Sequence, residues 1–185
     1  MRSILPITGA LLLTAIIGCG HDGHDHSSHK GKVAVTDVAI LRPDLLQPLA
    51  LATKPEKTIS VPEAMSKEDG EIVIVTGVSP GEKVKPFNAA LATFILLSPE
   101  DAARPEVVEE FQCDDAATCP RCRKLLEKHA IRVELVDGKG QVLPSTVEGF
   151  NGIKPGSPIT IEGVVKREGK DKKLVRIVAT KFFAG

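Results

Sequence analysis

Tryptophan and tyrosine are absent from the 185 residues, and only six phenylalanines are present. Sugar platforms and single-strand stacking sites are built on exposed rings, so the composition argues against both. An excess of one charge is missing as well: 24 Lys and Arg stand against 24 Asp and Glu. No whole-chain field draws in nucleic acid, which is not the expected partner. The chain also lacks an apolar run near the ~20 residues of a spanning helix. It has no Gly-rich phosphate loop, no Ser-x-x-Lys pair and no Gly-x-Ser-x-Gly elbow, and outside residues 21–29 its one histidine is His129. Acid pairs such as Glu109-Glu110 and Asp114-Asp115 read as solvated faces. With no constellation for acid–base or nucleophilic work, no enzyme is expected.

The amino terminus carries the most specific pattern. Met1 and Arg2 give a short positive start, and residues 4–17 are apolar, with Leu11, Leu12, Leu13, Ile16 and Ile17. That length suits a signal h-region, and Pro6 and Gly9 weaken it as a permanent helix. It ends in Ile16-Ile17-Gly18-Cys19, which resembles the lipobox of bacterial lipoproteins. The resemblance implies cleavage before Cys19, diacylglycerol on its thiol and a further acyl chain, such as palmitate, on the new amine. Several acyl chains hold a soluble domain at a bilayer far better than one does. The expectation is a signal peptide at 1–18 and a cell-envelope protein, lipidated at Cys19 and facing the periplasm or exterior.

Residues 19–32 read as a polar, histidine-rich flexible tether. Residues 33–69 read as an irregular arm with short helices, because Pro43, Pro48 and Pro55 interrupt its plentiful apolar residues. A helix is expected over 61–67, with Pro62 in its first turn. From 70 the rhythm turns to strands: 71–78, rich in β-branched residues, 88–97, and 131–136. In the last of these Ile131, Val133 and Leu135 face one way and Arg132 and Glu134 the other. Asp137-Gly138-Lys139-Gly140 is a turn, and residues 141–143 continue extended. Residues 158–166 and 173–183 form a hairpin across the polar stretch 167–171. Ser98-Pro99-Glu100-Asp101 looks like a capped helix start after the second strand.

Five strand regions at this spacing resemble an OB-fold, a small five-stranded Greek-key barrel, of the anticodon-binding type. They also resemble exported bacterial lipoproteins built the same way. The resemblance rests on Glu71-Ile72-Val73-Ile74-Val75-Thr76-Gly77-Val78 as first strand, Thr93-Phe94-Ile95-Leu96-Leu97 as second, and 156–165 as fourth, and it covers 70–185. Gly77 and Gly163 suit sharply coiled strands, where a side chain would crowd the bend. The fold expected is therefore mainly β, an OB-like barrel with a short helical, cysteine-containing insert between strands two and three. Phe87 and Phe94, with Lys83 and Lys85 nearby, are the only ring candidates for stacking; Phe94 reads as core.

That insert holds Cys113, Cys119 and Cys122. In an oxidising compartment one disulfide among the three would staple it, and spacing does not choose the pair. The three thiolates could instead hold a metal such as zinc. His129 is an awkward fourth ligand: seven helical residues set the Cα atoms of Cys122 and His129 ~10 Å apart, so a helix-end role suits His129 better. Cys119-Pro120-Arg121-Cys122 resembles the Cys-Pro-x-Cys of glutaredoxin-like proteins, which implies a redox dithiol, although no hydrophobic strand leads into it. In the tether, His21, His24, His26 and His29 alternate with Asp22 and Asp25, a donor set that suits zinc or copper. The reading expected from all of this is a lipid-anchored OB-like binding or assembly module, with a protein or small ligand as partner. A metal-binding envelope lipoprotein and a thiol–disulfide oxidoreductase using Cys119 and Cys122 are the alternatives.

Overall fold

A computed structural model describes residues 39–81, 83–111 and 120–185. The signal segment, Cys19, the tether histidines, Cys113 and Cys119 lie outside the described residues. The chain folds mainly into sheet. Its strands are β1 (Ile72–Val78), β2 (Thr93–Leu97), β3 (Ala130–Leu135), β4 (Pro158–Glu168) and β5 (Leu174–Ala184). They follow each other around a ring in the order β1-β2-β3-β5-β4. All neighbours are antiparallel except β3 and β5, which run parallel.

Alternation along each strand sorts side chains between inside and outside. Phe94 and Leu96 of β2, and Ile131, Val133 and Leu135 of β3, enter the interior with Val75, Ile161, Ile177 and Phe182. Fully burying each such side chain contributes ~1.5–3 kcal/mol, so this interior dominates the stability of the ring. Inside the β1–β4 pair the hydroxyls of Thr76 and Thr160 bond each other at 2.8 Å, which satisfies polar groups that burial would otherwise penalise.

The crowding expected at two glycines is present. The β4–β5 register shifts between Glu162 and Gly163. A Cβ on Gly163 would strike the carbonyl oxygen of Val178 and sit 2.7 Å from the Ala179 Cα. A Cβ on Gly77 would lie 2.8 Å from Val61 Cγ2 and 2.9 Å from the Leu97 oxygen.

The ring has a thin seam. β1 pairs with β2 only at Val78 and Leu97, and the arm occupies the edge this leaves free. Ile59 donates to Ile74 O at 2.8 Å and accepts from Thr76 N at 3.0 Å. Next along the arm, Ser60 caps α2 (Val61–Met65), its hydroxyl accepting from the Glu63 N–H at 3.3 Å. Val61 and Ala64 then bury against the main core. Upstream, α1 (Pro43–Leu46) buries Leu46 in the same core, and Leu51 donates to Phe182 O at 2.7 Å.

Some expected boundaries move. α2 ends at Met65, where Ser66 turns its hydroxyl onto the Glu63 carbonyl at 2.7 Å. The second strand begins at Thr93 rather than 88, because the Asn88 side chain accepts the N–H groups of Ala90 and Leu91, each at 2.9 Å. Such an Asx-type turn competes with the extended ladder. In the last hairpin β4 runs past the expected 166 to Glu168, and β5 is shifted by one residue to Leu174–Ala184.

Candidate functional site

Among the described residues between β2 and β3 there are three helices: α3 (Pro99–Ala102), α4 (Pro105–Val108) and α5 (Pro120–His129). Ser98 starts α3, its hydroxyl accepting the Asp101 N–H at 3.0 Å. α5 is amphipathic, burying Cys122, Leu125 and Leu126. Val107, Val108, Leu125 and Leu126 of these helices, with Phe111 beyond α4, pack with the outward residues of the sheet, Ile95, Leu97 and Ala130. The outer face of β2 and the start of β3 therefore lies beneath a second apolar cluster. This explains why β2 is apolar on both faces.

Further along the outer face the same strands hold charges. Arg132 of β3 and Arg176 of β5 are register partners across the parallel pair. Glu134 receives both: Arg132 Nη2 lies 2.9 Å from Glu134 Oε1, and Arg176 Nη1 donates to Oε2. Glu168 closes the set, its Oε1 2.9 Å from Arg176 Nε and its Oε2 3.4 Å from Arg132 Nη2. The Nε atoms of both arginines are buried without a well-aligned acceptor, so the Glu168–Arg176 approach is Coulombic rather than a directed hydrogen bond. Glu134 is only 8 % exposed. Two cations and two carboxylates balance locally, which marks a structural lock rather than a reactive centre.

At the far end of α5, His129 Nδ1 lies 3.3 Å from Asp101 Oδ2, and Arg104 Nη1 reaches Asp101 Oδ1 at 3.2 Å. The helix-end placement expected of His129 is present, with a carboxylate from α3 as an added partner. Arg104 also holds Glu106 at 2.9 Å. The Glu106 carboxyl sits below its ordinary range, through its own backbone N–H and then through that guanidinium. Between α4 and α5 runs an open groove of about 330 Å³, walled by Glu106 and Glu110 on one side and by Arg121, Lys124 and Lys128 on the other.

The sequence-picked residues fare differently. Phe94 is 1 % exposed, and Phe87 pairs with it at a ring-centroid distance of 6.0 Å, so neither offers a face to a base. Lys83 turns to Glu109 at 3.1 Å, and Lys85 also has a partner. Cys122 is a free thiol with no accessible surface, in the first turn of α5. Among the described residues no three His, Cys, Asp or Glu side chains gather as a metal site, and no helix is long and apolar enough to cross a membrane. The Arg132–Glu134–Arg176–Glu168 set went unseen in the sequence, since its members come from three strands and a parallel pairing. The opposite charges at i and i+2 on β3 were its one local trace.

Comparison with protein-family models and with curated proteins finds no match to this chain.

Proposed function

We propose that this chain is a lipid-anchored cell-envelope module, without catalytic activity, whose OB-like barrel serves binding or assembly. The observation that carries the domain part is the ring order β1-β2-β3-β5-β4 with a helical insert sealed over the outside of β2 and β3. OB-folds use that outer face, with the loops around it, to bind oligonucleotides and oligosaccharides. Here Ile95 and Leu97 spend it on the chain's own helices, which favours a scaffold whose partners meet the insert and not the strands. The anchor part rests on Ile16-Ile17-Gly18-Cys19 behind a short apolar run.

Metabolic labelling with palmitate tests the anchor. Wild type is expected to take up label and fractionate with membranes, and Cys19→Ser to do neither; equal labelling of both chains contradicts it. Metal content after exhaustive dialysis tests the zinc or copper alternative. Bound metal lost on replacing the tether histidines or the cysteines would move the assignment there. Reduction of insulin disulfides by the purified chain, abolished by Cys119→Ser, would instead favour a dithiol oxidoreductase.

A further inference from the structure

Although the whole chain is neutral, one helix of the insert carries a stripe of positive charge. The exposed face of α5 carries Arg121, Lys124 and Lys128. At spacings of three and four residues they lie in one stripe along the helix. None of the three has a carboxylate partner among the described residues, whereas Arg123 on the same helix is tied to Glu127 at 3.2 Å.

The β4–β5 hairpin turn abuts this helix. Arg123 Nη2 lies 2.5 Å from where a Cβ on Gly169 would stand, and Gly169 has φ +87, so only glycine suits the position. The turn adds Lys170 and Lys172, both exposed and also without a carboxylate partner among the described residues. Lys173 is paired with Asp171 at 3.3 Å. Three of these cations thus lie along α5 and two on the turn that abuts it, while Glu106 and Glu110 line the groove across from Arg121, Lys124 and Lys128.

We infer that this face, formed by α5 and the β4–β5 turn, rests on anionic phospholipid headgroups. Charge complementarity is the first argument: lysines and arginines near an anionic leaflet each contribute on the order of 1 kcal/mol, roughly fivefold in affinity. Geometry is the second, and it rests on the anchor reading. The twenty residues 19–38 reach at most about 70 Å fully extended, so the domain stays close to the bilayer and even weak attraction is amplified by effective concentration. Rings decide against a nucleic acid on the same face: five of the six phenylalanines are buried and Phe183 is half-buried. Single-strand sites need exposed stacking platforms beside their cations.

The test uses the mature chain from residue 19 with Cys19→Ser, so that no acyl chain contributes. Sedimentation with vesicles of phosphatidylcholine and phosphatidylglycerol should carry the protein down, phosphatidylcholine alone should not, and added salt should release it. Lys124→Gln with Lys128→Gln should weaken the anionic-vesicle binding by roughly 25-fold. Lys170→Gln with Lys172→Gln, outside the helix, should lose a similar factor, which separates lost charge from a damaged α5. Lys54→Gln with Lys57→Gln, on the arm, should change nothing. Equal partition onto both vesicle types, or full binding by both lysine pairs of variants, overturns the inference. So does tighter binding to an oligothymidylate than to anionic vesicles. Since no acylation enters this measurement, a chain that fails palmitate labelling yet passes here loses its anchor and keeps its lipid-facing side.

Discussion

Gly163 stands where β4 and β5 approach too closely for any side chain, and the register shift beside it lets β4 bend around the ring. The obstructing atoms belong to the backbone of Val178 and Ala179, and backbone in a ladder cannot rotate aside as a side chain could. Gly163→Ala should therefore cost about 3 kcal/mol, the upper end of what overpacking brings and well above the ~1 kcal/mol typical of a point change. Urea unfolding reads it directly, and a loss below about 1 kcal/mol would show that the strands relax freely. Asp137 offers a second check at this scale. The backbone N–H groups of Gln141 and then Lys139 hold its carboxyl below the ordinary range. A lowered folded pKa favours the fold above the unfolded pKa near ~3.9, and that contribution disappears as pH falls through the folded value. Carbon-detected NMR titration should place Asp137 below ~3.9; a normal or raised value contradicts the turn geometry.

Among the elements, α5 is held chiefly by its apolar side. Leu125 and Leu126 seat it on the sheet, and the His129–Asp101 contact ties its end to α3. Leu126→Ala removes part of a nearly closed contact, and large-to-small changes in such sites cost ~2–5 kcal/mol. Hydrogen exchange should show the α5 amides losing protection well before those of β3 and β4. Uniform loss across the molecule would mean that helix and ring unfold as one unit. The sequence made α5, the last hairpin and the two coiling glycines readable, because each depends on local periodicity, turn residues or the simple lack of a side chain. The arm was less legible. Its residue Ile59 works through backbone hydrogen bonds to β1, which leave no side-chain pattern. The false start of the second strand has the same lesson at Asn88, where a side chain competes for the backbone and cuts the ladder short.

On the scale of the whole molecule, what the fold does with its surface matters more than which strands it has. A mainly β, five-stranded fold was expected from the spacing of strand regions, but the sequence alone did not reveal that the insert would cover the sheet's outer face. Nor could it show that the β4–β5 turn, with Lys170 and Lys172, would abut α5. Both depend on residues far apart in the chain coming together, such as Leu125 and Ile95 in one apolar cluster and Arg123 beside Gly169. The candidate cysteine and histidine ligands were legible as a list of donors, and only Cys122 and His129 among them lie within the described residues. Everything about where the module works turns on the sulfur of Cys19. Intact mass spectrometry of protein extracted from membranes of the producing cell tests it most directly. The account predicts a chain that begins at Cys19 and carries a diacylglyceryl group and an amide-linked acyl chain; a chain that retains residues 1–18, or begins at Cys19 with an unmodified thiol, contradicts it.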